Sequence, residues 1–323
     1  MTAALGKGSD DMVSTTVTSA DLPLPSLRNS VVVVPPPASE AGSWAGAPTA
    51  YVADGLVYLA YRLRRPIGAG RGYRNVVAVS EDGVSFRELC AIDREQFGAE
   101  SLERPAITRG TDGRWRLYVS CATPDSKHWR VDVLEAASVA DLAGASPTTV
   151  LPGSADAGVK DPVIVLHEDR WHLWASVHPL ERWDDADRMS IDYATSDDGL
   201  AWTWHGTVLR GRPGTWDARG VRPAAAVVKG DELLMAYDGR ASADENWEER
   251  TGLAAGSWTG NGFGNLQSTS DEPLGSGLAG GGLRYLSVVE TSRGTRLYYE
   301  YTRGDGAHEL RTELVGGGRQ SQR

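Results

Sequence analysis

Cysteine is almost absent from this chain of 323 residues: only Cys90 and Cys121 occur, which excludes a disulfide framework as the source of stability. There is no Cys-x-x-Cys pair and no His-Glu-x-x-His helix, so no metal and no cofactor is expected. No apolar run approaches the ~20 residues that span a bilayer, and Met1 to Asp21 holds Lys7 but no apolar stretch of leader length. The expected location is cytoplasmic. Basic residues are outnumbered, 33 against 43 acidic, for a net charge of −10. Nucleic acids and anionic membranes draw their affinity from Lys and Arg neutralising phosphates, so neither is an expected partner. Long stretches of 3.6-residue period are missing too; Val139 to Ala145 reads as one short helical turn.

What is present is β structure in a repeat. With 38 Gly, 16 Pro, 11 Trp and 11 Tyr, short apolar runs alternate with turn signals. Five segments read as a strand opening near Pro, a turn, and an aromatic-rich strand. They run from Ala47-Pro48 to Arg62, Arg104-Pro105 to Ser120, Asp161-Pro162 to Ser176, Arg222-Pro223 to Asp238, and Arg284-Tyr285 to Glu300. By subtraction, they begin 57, 57, 61 and 62 residues apart. A third strand follows, as in Asn75 to Val79 and Ile191 to Ala194, and then an Asp-Gly turn, Ser80 to Gly83 and Ser196 to Gly199, into a fourth.

This predicts an all-β chain: a five-bladed β-propeller of four-stranded antiparallel blades over residues 26–315, with disordered tails at 1–25 and 316–323. The last unit supplies only three strands. The run Asn29 to Val34 is expected to complete it, closing the ring and removing a sheet edge.

First strands of propeller blades face the central channel, so equivalent positions form rings. Just before the repeated Pro, or Tyr285 in the last unit, stand Ala47, Arg104, Asp161, Arg222 and Arg284; one place earlier stand Gly46, Glu103, Lys160, Val221 and Leu283. Second strands end at Arg62, Ser120, Ser176, Asp238 and Glu300. Two readings follow. Arg62, Arg104, Arg222, Arg284 and Lys160 hold an anionic ligand, since guanidinium forks match carboxylate and phosphate. Alternatively, they pair internally with Glu103, Asp161, Asp238 and Glu300. Loops on the same face bring His128, His178, Trp183 and His308, either to line a sugar-sized pocket or to pack and be solvated at the rim.

Gly46-Ala47-Pro48 with Val57 to Arg62, Glu103-Arg104-Pro105, and Val159-Lys160-Asp161-Pro162 with Trp171 to Trp174 resemble the five-bladed propeller glycosidases over about residues 40–315. That group includes family 43 arabinanases and xylosidases, family 32 invertases and family 130 mannoside phosphorylases. The family 43 pattern implies a general-base Asp on blade 1, an orienting Asp on blade 3 and a general-acid Glu on blade 4. The resemblance carries the second onto Asp161. The chain departs at the others, with Ala47 on blade 1 and Gly220-Val221-Arg222-Pro223 on blade 4. Glycoside hydrolysis uses two carboxyl groups, one protonated and one ionised, so the substitutes are Glu103, Asp161, Asp238 and Glu300, with Asp161 and Glu300 the favoured pair. The expected function is a glycoside hydrolase-like enzyme on an anionic sugar or sugar-like small molecule. The alternatives are an intracellular lyase, isomerase or cyclase of specialised metabolism, and a non-catalytic carbohydrate-binding propeller.

Overall fold

The computed structural model describes residues 22–278 and 280–316. Twenty strands fall into quartets by their pairing. One is β2 (Trp44–Ala53), β3 (Leu56–Arg64), β4 (Gly72–Ser80) and β5 (Arg87–Asp93). The second is β6 (Leu102–Arg109), β7 (Trp115–Ala122), β8 (Trp129–Ala136) and β9 (Thr148–Leu151), and the third is β10 (Ala157–His167), β11 (Arg170–Pro179), β12 (Ser190–Ser196) and β13 (Thr203–Leu209). The fourth is β14 (Gly220–Lys229), β15 (Glu232–Arg240), β16 (Arg250–Trp258) and β17 (Phe263–Ser268). In the last, β18 (Leu283–Thr291), β19 (Gly294–Thr302) and β20 (His308–Val315) are completed by β1 (Val31–Val34), antiparallel to β20. A single parallel pair, Trp44 with His308, joins this quartet to the first in one sheet. The fold is therefore all-β and propeller-like. The helical reading at 139–145 is a short 3-10 turn, Ala140–Gly144. Among the described residues no helix is long and apolar enough to cross a membrane.

Period-two alternation explains the packing. Along β3, Val57, Leu59 and Tyr61 enter a core shared with the last quartet, while Tyr58 and Ala60 enter one shared with the second. Along β15, Leu233, Met235 and Tyr237 face the third quartet, and Leu234 and Ala236 the last. Each strand thus serves two cores, one per sheet face. The Asp-Gly turns form as read: Asp82 Oδ1 accepts from the Val84 and Ser85 amides at 2.8 and 2.7 Å, and Asp198 repeats this with Leu200 and Ala201.

The register corrects the ring alignment. Gly46 pairs with Arg62, Lys160 with Ser176 and Arg284 with Glu300, each just before a bulge, and Arg222 pairs with Asp238, one pair before the register shifts after Pro223. Leu102 pairs with Cys121 before the same bulge in β6, which puts Glu103 at that level. One ring is therefore Gly46, Glu103, Lys160, Arg222 and Arg284. The next is Ala47, Arg104, Asp161, Pro223 and Tyr285. In the fourth repeat the register shifts after Pro223, so this proline stands one place earlier than Pro48 and Pro162 and alignment on it sets Arg222 one ring off; in the last repeat Tyr285 stands at the position of Pro223, and Arg284 is set off with it. Val221 and Leu283 are core residues without exposure. Ala47, Asp161 and Tyr285 share φ values of 51°, 55° and 56°, as expected of one bulge position used three times.

Residues 1–21 and 317–323, most of the expected tails, lie outside the described residues, as does 279. Leu22, also assigned to the tail, is fully buried beside Leu283, Leu286 and Leu297. Leu22→Ala is expected to lower the unfolding free energy by about 2–5 kcal/mol in denaturant titration; a loss below about 0.5 kcal/mol would mean that the segment adds nothing to the core.

Candidate functional site

The bulge level generates the site. Gly46 has no side chain because the Glu300 carboxylate occupies that space: a Cβ there would lie 2.0 Å from Oε2. Oε2 accepts from the Ala47 amide at 2.9 Å and from Arg62 at 3.0 Å. Oε1 accepts from Arg284 Nε and Nη2 at 2.9 and 2.7 Å and meets His308 Nδ1 at 2.6 Å. Burial alone would raise this carboxyl, but Arg284, Arg62 and His308 hold it well below the usual range. Arg62 also pairs with Glu103, and Arg284 with Glu249. Arg222 is held by Asp238 at 3.0 Å and lies over the Tyr285 ring at 3.8 Å, donating to its hydroxyl at 2.9 Å.

Over this network opens a cavity of about 320 Å³. Glu103, Lys160, Arg222 and Arg284 of the bulge ring line it with Tyr285. Arg64, Arg71, Lys127 and Arg240 bring further positive charge, so cations outnumber the lining carboxylates Glu103, Asp187 and Glu249. Trp44, Trp129 and Trp247 supply flat faces, and Arg64 lies 3.9 Å over Trp44 and 5.0 Å from Trp247. Among the described residues its only carboxylate within ion-pair reach is Glu103 at 3.6 Å, and its Nε has no hydrogen-bond partner. Burial, then Arg62 and Arg284, disfavour its charge. Burial, then Arg222, likewise pull Lys160 down to about 8 against the opposing pull of Asp161. Despite burial, Glu249 is held far below the ordinary range by Arg222, Arg284 and Arg240, and Asp161 is lowered by Lys160, Arg222 and Arg104. Asp238 is raised, since burial outweighs Arg222.

The structure brings most of the sequence candidates together, in two layers. Glu103, Lys160, His178, Arg222 and Arg284 reach the cavity wall, while Asp161, Asp238, Glu300 and Arg62 are buried behind it. Arg104 turns the other way and donates to the carbonyls of Pro48, Pro223 and Ala224 at 3.3, 3.1 and 2.6 Å. Below it lies a second, smaller cavity of about 140 Å³, lined by the following ring, Thr49, Ala106, Val163, Ala225 and Ser287. Arg104 thus separates the two. His308 is not at the rim: it is buried against Trp44, ring centroids 4.5 Å apart, between Glu300 and Glu248. His178 is buried as well. The His128 ring meets the Thr123 hydroxyl at 2.9 Å, and Trp183 is 61% exposed beneath Lys127; neither lines the cavity.

Sequence reasoning missed Arg64, Arg240, Glu249, Trp44 and Trp247. Arg64 was accessible through alternation, two residues beyond Arg62. Tyr285 was visible as the one repeat lacking Pro. Glu249 comes from a loop, where no repeat position announces it.

No protein-family model matches the sequence, and no curated protein matches it. Solved structures do. A thermostable family-43 glycoside hydrolase superposes with TM-score 0.64 at 14% identity, covering 86% of this chain and 95% of that one. A glycosyl hydrolase from Bacteroides ovatus gives 0.61 at 17%, covering 85% of each. A structure from the GH130 family of mannoside phosphorylases, described as containing hydrolases that target β-1,2 mannosidic linkages in Candida mannan, gives 0.61 at 16%, covering 90% and 96%. This chain thus has the fold of the propeller glycoside hydrolases. At such identities the likeness is one of fold.

Glu300→Gln is expected to cost about 3–5 kcal/mol at neutral pH, because it leaves buried guanidinium charge unmatched. The wild-type advantage is full above the ordinary carboxyl value of 4.5 and fades as pH falls through the depressed folded value. Thermal melts of both proteins from about pH 7 to 3 should therefore converge; a constant gap would remove the ion-pair explanation.

Proposed function

We propose that the chain is a five-bladed β-propeller acting as a glycoside hydrolase-like enzyme on an anionic sugar, a uronate or sugar phosphate, bound in the upper cavity. Support for the closed ring comes from the inner strands: β2 contacts β6, β6 contacts β10, β10 contacts β14, β14 contacts β18, and β18 contacts β2. The observation that carries the functional reading is the cation surplus of a cavity that also presents tryptophan faces. A buried guanidinium with unspent donors is costly alone and is stabilised by an incoming carboxylate or phosphate. Arg64 and Arg240, each with a buried Nε lacking a partner, are the proposed anion ligands. Trp247, 38% exposed, offers a stacking surface for a sugar ring.

Glu103, alone among the four nominated carboxylates, reaches the cavity and is the proposed catalytic carboxylate. Asp161, Asp238 and Glu300 then act as positioning groups that hold Lys160, Arg222 and Arg284. A second reading, elimination next to the sugar carboxylate, is favoured by Lys160, whose value near 8 suits a proton acceptor, and by the ionised state of Glu249, which leaves it no proton to donate.

Thermal-shift titration with glucuronate, glucose 6-phosphate and neutral xylose tests the site. The anions are expected to raise the melting temperature, and Arg64→Gln to weaken them about tenfold or more, the worth of a charge-assisted hydrogen bond. A response to xylose alone would overturn the anionic assignment. With a turned-over uronate glycoside, incorporation of oxygen from labelled water marks hydrolysis, and its absence marks elimination.

A further inference from the structure

Lysine is scarce in this protein. Of 33 basic residues only Lys7, Lys127, Lys160 and Lys229 are lysines, and arginine supplies every other positive charge. The buried cations of the funnel follow that preference, as Arg62, Arg64, Arg222, Arg240 and Arg284. Lys160 is the exception, and the only lysine among the described residues that is buried. A guanidinium is the better group for binding an anion bidentately, and it stays protonated. What an amine adds is a lone pair, available when the group is desolvated among other cations.

The surroundings of Lys160 fit that use. Its side chain faces the cavity with Nζ 4.7 Å from the centre of the Trp129 ring. Its carboxylate partner is Asp161 Oδ2 at 3.5 Å, beyond a short ionic hydrogen bond, and that oxygen accepts no hydrogen bond. On the neighbouring strand Lys160 stands opposite Ser176, and Gly158 stands opposite His178, so Lys160 and His178 share one face at adjacent levels. Gly158 has no side chain to come between them. His178 Nδ1 lies 2.7 Å from the Ala186 carbonyl, to which it must donate. Its Nε2 is therefore an unprotonated acceptor, and it has no partner. Burial, reinforced by Lys160, lowers the His178 value to about 3 and keeps the ring neutral.

We propose that Lys160 is a nucleophile that forms an imine with a sugar-derived 2-oxo acid, whose carboxylate is held by the lining guanidiniums while its adjacent carbonyl meets Nζ. The inference rests on the anion-site reading above. The amine lone pair forms the C–N bond as the carbonyl π pair moves to oxygen. One proton leaves nitrogen and one reaches that oxygen, with His178 Nε2 as carrier. The hydroxyl then departs as water after a second transfer of the same kind, leaving C=N. One amine and one carbonyl give one imine and one water, with no oxidant or reductant.

Borohydride trapping of the full chain with pyruvate as the probe tests this. The expected product is a secondary amine at Lys160, with a mass gain of pyruvate less one oxygen, located by peptide mass mapping. Trapping should increase from about pH 7 to 9, as the amine is freed, and be lost in Lys160→Arg. Mapping in the unaltered protein keeps the test valid if that variant misfolds. Melting curves with pyruvate are run alongside. A melting shift without an adduct at Lys160, or with the adduct only at another lysine, overturns the imine and leaves the anion site standing. Neither shift nor adduct overturns both.

Discussion

A carboxylate removed from water has to be met by positive charge or by donors, and Glu300 meets five at once. Its partners come from β2, β3, β18 and β20, which belong to the first and last quartets. The arrangement exists because Gly46 leaves room and because the bulge turns the Ala47 amide inward. From there the chain of pairs runs on through Arg62 to Glu103 on β6 and through Arg284 to Glu249, and Arg222 joins Asp238 to Tyr285. The five apolar clusters hold neighbouring quartets together face to face. The charged network ties their inner ends, where no apolar core can form because the strands converge.

The same network shapes the chemistry. Pairing with cations, Lys160 first for Asp161 and arginines for Glu249 and Glu300, keeps these three ionised despite burial, and so removes them as ready proton donors. The wall of the upper cavity carries seven cationic side chains, Arg64 and Arg240 among them, against Glu103, Asp187 and Glu249. The surplus faces the upper cavity only, since Arg104 spends its donors on the carbonyls of β2 and β14 and separates the upper cavity from the lower one. Lys160, opposed by weak pairing at 3.5 Å, is drawn down by burial and by Arg222 to about 8.

The internal repeat, the alternation and the Asp-Gly turns made the strands legible, down to β1 beside β20. The alternation and the turns depend on residues a few positions apart, and the repeat only restates that local pattern every 57–62 residues. Glu103, Lys160, Arg222 and Arg284 were legible as funnel residues for the same reason. Their ring assignment was not, because a bulge adds a residue without leaving a mark in composition. Pro223 stands one place earlier than Pro48, Pro105 and Pro162, so alignment on proline slips in the fourth repeat, and in the fifth, where Tyr285 replaces it, nothing restores the register.

Which of the charged side chains face a ligand and which face one another was decided only by convergence of all five inner strands. Arg62 and Arg64 differ little in sequence context, yet the first has both terminal nitrogens engaged, by Glu103 and Glu300, while the second reaches Glu103 only at 3.6 Å and lies over Trp44. Pairing of this kind depends on separations of a few ångströms between residues up to 238 positions apart, as from Arg62 to Glu300. Local pattern determined the strands and their order. The electrostatic balance at the centre is a sum over every strand end brought there, and it takes a value only once the chain is folded.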